Sequence, residues 1–151
     1  EVSVIGWSGT SAGWLGFDRD LDLCRQIEAE TGIRATTSVL ALLELIELAG
    51  IKQVALFTPY TADVQQRIVG HLAQAGIECV AQRHLGIARN FDFAMVEPAD
   101  ILSACDDMLA TSGAQAVITL APTCGQPGWR ASSRPGIRRC CSTRSVPSSG
   151  R

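Results

Sequence analysis

Along the first 120 residues, strand-length apolar runs alternate with helix-length amphipathic segments, most of which close on a glycine. That rhythm constrains the fold more than any other property of the chain. Residues 2–7 read as a buried strand and residues 17–31 as an amphipathic helix. In that helix Leu21, Cys24 and Ile27 share one face while Asp20, Asp22, Arg25 and Glu28 point to water. Gly32 fits a C-cap. Residues 33–37 lead to Ser38, read as the N-cap of a helix over 39–49 that Gly50 ends. Residues 53–58 form the next strand, 62–75 a helix closed by Gly76, and 77–82 another strand. A loop over 84–96 precedes a helix opening near Pro98, and residues 116–120 make the last strand. A β-α-β-α order with short connections defines an α/β chain: a parallel sheet flanked by helices.

In such sheets ligands bind beyond the carboxyl ends of the strands. Residues 8–13, 58–61 and 120–123 would gather there. The first of these segments reads Ser8-Gly9-Thr10-Ser11-Ala12-Gly13. Glycines let a backbone approach a ligand closely, and hydroxyls with free N–H groups at a helix start favour negative charge. The segment lacks the lysine of a phosphate-binding Walker loop and does not follow the G-x-G-x-x-G pattern of dinucleotide sites. A small carboxylate is the ligand it suits. The hydroxyls of Thr10 and Ser11 would serve equally as caps of the following helix, and the two roles are compatible.

Composition narrows the class. An apolar content of 46% in 151 residues is enough for one domain with a real core. No apolar run approaches the roughly 18 residues that span a bilayer, and no export signal is visible, so the cytoplasm is the expected location. Six cysteines there are thiols rather than disulfides, and none is paired as Cys-x-x-Cys, so no metal is expected. The net charge of −2 conceals a split: the last 28 residues hold six arginines and no acid, leaving seven basic against 15 acidic residues before them. A body carrying about −8 is not a nucleic-acid binder. The chain therefore divides into a domain at 1–120 and an Arg/Ser/Pro/Gly-rich tail at 121–151, expected to be disordered.

Three motifs carry a family resemblance. Gly9-Thr10-Ser11, the stretch from Thr31-Gly32-Ile33 to Ser38, and Leu56-Phe57-Thr58-Pro59-Tyr60 followed by Asp63-Val64 resemble the Asp/Glu racemase superfamily. The most similar branch holds the maleate cis-trans isomerases and arylmalonate decarboxylases, and the resemblance covers residues 2–121. It implies two similar α/β halves with the active site between them, here one half plus part of the other, in a chain truncated at its front. It also implies chemistry without a cofactor at the carbon next to a carboxylate. Family members typically place one cysteine in each half. A thiolate of lowered pKa can attack a double bond or move a proton at an α-carbon. Gly9 stands where the first of these cysteines would be and is not itself catalytic, as in the decarboxylases. The resemblance assigns Thr10 and Ser11 to the substrate carboxylate, gives Tyr60 a phenolic donor at the catalytic edge, and matches Asn90 to a substrate-contacting asparagine. Donors of this kind, aimed at developing charge, are worth several kcal/mol. The implied partner is a small carboxylic or dicarboxylic acid, and a homo-oligomer stays open.

The second family cysteine should follow the strand that ends at Leu120, within Cys-Thr-Asn or Cys-Gly-Gly. The chain instead reads Ala121-Pro122-Thr123-Cys124. A one-base deletion after the Leu120 codon accounts for this: restoring one base lets GC-rich codons spell leucine, cysteine, threonine, asparagine. The same frame across residues 136–147 spells an apolar strand. The tail is then an off-frame product, and the rival reading is a basic interaction tail. Cys24, Cys79 and Cys105 read as small core residues and Cys124 as a poor substitute for the missing thiol. His71 reads as exposed on its helix and His84 as a loop residue. Trp7 and Trp14 bracket the carboxylate loop, either shaping an apolar pocket or packing in the core. Three functions follow: an enzyme of the isomerase or decarboxylase type impaired at its second thiol; a non-catalytic carboxylate-binding remnant; and, last, a phosphate-binding module.

Overall fold

The computed structural model describes residues 2–120 and 140–141, and for Asn90, Phe91, Ala94, Cys140 and Cys141 the backbone alone. The elements run β1 (Val4–Trp7), α1 (Ala12–Leu15), α2 (Asp18–Thr31), β2 (Arg34–Thr37), α3 (Ser38–Leu48), β3 (Gln53–Thr58), α4 (Ala62–Gln74) and β4 (Glu78–His84). A 3-10 helix over Asn90–Met95 follows, then α5 (Pro98–Ser112), β5 (Ala116–Thr119) and β6 (Cys140–Cys141). The strands form two parallel sheets, β1-β2 and β4-β3-β5-β6.

The second sheet holds the core. Successive residues of a strand face opposite sides, and here both sides are covered. Val54 and Leu56 of β3 and Ala116 and Ile118 of β5 pack with Leu42 and Ile46 of α3 and Ile68 and Leu72 of α4. Ala55, Phe57 and Val117 turn the other way onto Ile101, Ala104, Cys105 and Met108 of α5. This double cover explains why residues 54–58 read as an uninterrupted apolar run ending in a buried threonine.

Beneath the sheet edge, Thr58 and Gln65 are fully buried. The Thr58 hydroxyl donates to Gln65 Oε1 (2.5 Å), and Gln65 Nε2 donates to the carbonyls of Leu56 and Arg83 (3.4 Å each). A buried amide so partnered avoids the cost of desolvating an unpaired polar group.

Several expectations change. The strand over 2–7 is not buried: Val4 and Trp7 are 53% and 54% exposed, because among the described residues β1 pairs with β2 alone and α2 packs mainly against β2. Asp20 does not face water. It is buried and accepts the Thr37 hydroxyl at 2.5 Å, while Leu21 is exposed. The cap of α3 is Thr37 rather than Ser38, its hydroxyl oxygen accepting from Leu40 N–H. Gly32 does close α2, in the left-handed region at φ 67°. β4 runs two residues past its expected end, and the loop before α5 contains the 3-10 helix. In the segment expected to lack order, Cys140 and Cys141 lie beside Ile118 and Thr119 as β6; the rest of that segment lies outside the described residues.

Candidate active site

The loop leaving β1 is pinned from below. Ser38, freed from capping, donates its hydroxyl to the carbonyls of Trp7 (3.2 Å) and Gly9 (3.3 Å), fixing the backbone on either side of Ser8. Beyond it, Gly13 N–H donates to the Thr10 carbonyl, and Trp14 and Leu15 N–H donate to that of Ser11. The helix so begun is one turn long. Its dipole is correspondingly slight, and hydroxyls rather than a helix end provide the donors here.

α1 docks on α4. The His71 Nδ1–H donates to the Gly13 carbonyl (2.9 Å), and the Phe17 ring lies 5.8 Å from the imidazole. His71 is therefore half-buried rather than exposed. Because a carbonyl only accepts, Nδ1 carries the proton. A Cβ at Gly13 would stand 3.1 Å from Leu120 Cδ1 and 3.7 Å from Ile68 Cγ1, so glycine permits the close approach of α1 to the end of β5.

From the other sheet comes Tyr60, just past β3. N–H groups of Leu85, Gly86 and Ile87 donate to the carbonyls of Thr58, Tyr60 and Pro59 respectively, which clamps this turn against the exit of β4. The Tyr60 ring meets Trp14 edge-on at 4.8 Å and Phe93 at 5.5 Å. Its hydroxyl lies 3.2 Å from Thr10 Oγ1, and both residues are buried. The carboxyl ends of β1 and β3, from two different sheets, thus meet in a hydroxyl pair, with Ser11 next in the chain and half-buried.

Of the candidate residues, Thr10 and Tyr60 come together directly, and Gly9 and Ser11 flank Thr10. Asn90 opens the 3-10 helix, but its side chain lies outside the described residues, as do residues 121–124 with Cys124. Cys24 and Cys105 are buried on α2 and α5, and Cys79 is half-buried on β4. Burial pushes the Cys24 and Cys79 thiols up, with Asp20 and Glu28 adding to the effect at Cys24; such thiols are poor nucleophiles at neutral pH. Trp14 packs on Tyr60, whereas Trp7 is open to solvent. His84 is exposed at the end of β4. Sequence reasoning missed the parts played by Ser38, His71 and Phe93. Among the described residues no group of three or more His, Cys, Asp or Glu side chains could hold a metal ion, and no helix is long and apolar enough to cross a membrane. A cavity of about 320 Å³ lies elsewhere, between α3 and the start of β3, lined by Leu43, Glu47, Lys52 and Ile77 among others. It carries no grouping of the kind at Thr10.

Parallel sheets flanked by helices, with hydroxyls from both meeting at the carboxyl ends, define an α/β protein with a hydroxyl-lined strand-end site. The chain belongs to the arylmalonate decarboxylase family, whose model matches residues 1–135. It is 30% identical to the arylmalonate decarboxylase of Bordetella bronchiseptica over 105 residues, covering 69% of this chain and 44% of that protein. A crystal structure of arylmalonate decarboxylase superposes with a TM-score of 0.73 at 25% identity, over 93% of this chain and 64% of the other. The maleate isomerase of Pseudomonas putida S16, solved with maleate, shares the fold with a TM-score of 0.69 at 23% identity, over 82% of this chain and 52% of that one. The Nocardia farcinica maleate cis-trans isomerase, solved with a covalently bound succinylcysteine intermediate, does so with a TM-score of 0.68 at 21% identity, over 80% of this chain and 51% of that one. The chain thus spans less than half of the curated relative and between half and two thirds of the crystallised ones.

Proposed function

We propose that residues 1–120 are the carboxylate-gripping part of a cytoplasmic, cofactor-independent enzyme that decarboxylates or isomerises a small mono- or dicarboxylic acid at the carbon α to its carboxylate. The observation that carries this reading is the buried pair of Thr10 Oγ1 and Tyr60 Oη at 3.2 Å. In this pair one hydroxyl donates to the other. A carboxylate seated between the two sheets can draw both protons toward itself, with the Ser11 hydroxyl adjacent. Bonds to a charged acceptor are shorter and about twice as strong as neutral ones. The same donors stabilise the charge that moves onto the carboxylate oxygens when an α-bond breaks, because they are already oriented. In a decarboxylation the C–C bond breaks, carbon dioxide leaves, and the electron pair remains as an enediolate. A thiol then gives its proton to the α-carbon, and the thiolate regains one from water.

That thiol is what this chain lacks where the family resemblance expects it, directly after Leu120. We therefore propose a chain that binds its acid and turns it over poorly, with Gly9 favouring one-thiol chemistry over the two-thiol isomerisation. Asn90 and Ser11 complete the substrate contacts. The sequence after Leu120 equally supports a second reading, a non-catalytic remnant that retains the carboxylate grip. Proton exchange at the α-carbon in deuterated buffer distinguishes the two. The chain and a version with the frame restored after codon 120 are incubated with phenylmalonate, maleate and aspartate. Turnover by the restored form alone supports an enzyme broken at its second thiol. Binding without turnover in both supports the remnant, and binding in neither refutes the carboxylate reading.

A further inference from the structure

We infer that Trp7 is a specificity-determining residue of the carboxylate site, its indole N–H donating to the bound acid from the space that a side chain at position 9 would occupy; this rests on the carboxylate-gripping reading above. Position 9 explains why. Gly9 is not among the glycines with positive φ, so its backbone would accept any residue. Its surroundings would not. A Cβ built there falls 2.3 Å from Trp7 Nε1, 3.0 Å from Cε2 and 3.1 Å from Cδ1, so the pyrrole edge of the indole lies over the glycine. A side chain at this point would displace the ring, while the turn itself does not call for glycine.

The backbone fixes the ring's root at the site. The Ser38 hydroxyl holds the carbonyls of both Trp7 and Gly9, and Thr10 follows at once with its hydroxyl on Tyr60. At 54% exposure the indole is not consumed by the core. An indole N–H donates a hydrogen bond, cannot accept one, and does not serve as a general acid or base at neutral pH. The chain has thus placed a pure donor where two-thiol members of the superfamily place a group that moves protons. That arrangement strengthens binding of an anionic oxygen and excludes acid–base chemistry from this side of the substrate.

The test uses the chain as it stands, labelled with ¹⁵N and titrated with malonate and phenylmalonate. The Trp7 indole resonance is assigned by its disappearance in Trp7→Phe. It is expected to shift on addition of either acid, and Trp7→Phe is expected to weaken binding roughly tenfold, the loss of one hydrogen bond to a charged group. Without ligand, Gly9→Ala should move the same resonance. It should weaken binding as much as Trp7→Phe does, yet change nothing in a Trp7→Ala background. Unaltered affinity in Trp7→Phe overturns the inference while leaving the carboxylate site standing. An effect of Gly9→Ala that is equal with and without the indole also overturns it. Failure of the unaltered chain to bind either acid overturns both the inference and the reading beneath it.

Discussion

Replacing Tyr60 by phenylalanine probes the contact that joins the two sheets. At 3.2 Å the Thr10–Tyr60 bond is longer than the usual 2.7–2.8 Å of an O–H···O pair, so its own contribution lies near the lower end of about 0.5–1.5 kcal/mol. The larger cost is the hydroxyl left behind. Thr10 is 2% exposed, and without its partner it keeps a desolvated oxygen, at about 1–2 kcal/mol. Thr10→Val should cost somewhat less, because Tyr60, itself 5% exposed, retains a further interaction. The double variant should cost less than the two singles together, by about 0.5–1 kcal/mol. Urea unfolding followed by far-ultraviolet circular dichroism measures all three values. Costs that add to within about 0.3 kcal/mol would show that the two hydroxyls do not meet, and the site would lose its foundation. The same variants carry a second readout: each removes a donor from the anion, so each should weaken phenylmalonate binding by roughly tenfold or more.

Thr37→Val removes both the cap of α3 and the partner of buried Asp20, and should destabilise by about 2 kcal/mol or more in the same unfolding assay, while Ser38→Ala, which leaves the cap intact, should cost less. Gly32→Ala forces a side chain into the left-handed region at φ 67° and should cost about 1 kcal/mol, whereas Gly70→Ala, inside α4 with open space around it, should stabilise by about 0.5–1 kcal/mol; thermal melts of the pair check the contrast. Burial, aided by Asp20 and Glu28, raises the Cys24 thiol. Its contribution to stability is complete below the ordinary thiol value and is lost as pH rises from there through the folded value. Cys24→Ala should flatten that alkaline loss in a series of denaturation curves. Asp63 shows the opposite sign, since the Thr61 hydroxyl holds its carboxyl below the usual range. What it adds is present above that range and disappears as pH falls through the folded value, which Asp63→Asn should abolish in an acid titration.

Where the physics is local, the chain could be read directly. The run over 54–57 is apolar throughout because helices cover both faces of β3, and the helix after it ends where Gly76 turns left-handed. Asp20 was misread because spacing along a helix reports the apolar stripe. It says nothing of a strand threonine, 17 residues on, that makes burial of a carboxylate tolerable. Thr37 and Ser38 are both good capping residues, and only the approach of the Trp7 and Gly9 carbonyls decides which one caps. At the site, strand-end logic placed Thr10 and Tyr60 on a common edge, yet their direct bond spans 50 residues and two sheets. The clasp of His71 on Gly13 depends likewise on how α1 settles against α4, which no periodicity encodes.

The exposed first strand has a practical consequence. β1 presents Val4 and Trp7 to solvent and, among the described residues, pairs along one side only. Among the described residues no strand lies along its other side, and an edge of that kind is a template for any extended peptide of suitable register. Concentrated solutions of this chain should therefore stick edge to edge before they unfold, and a single lysine at Val4 should keep them clear.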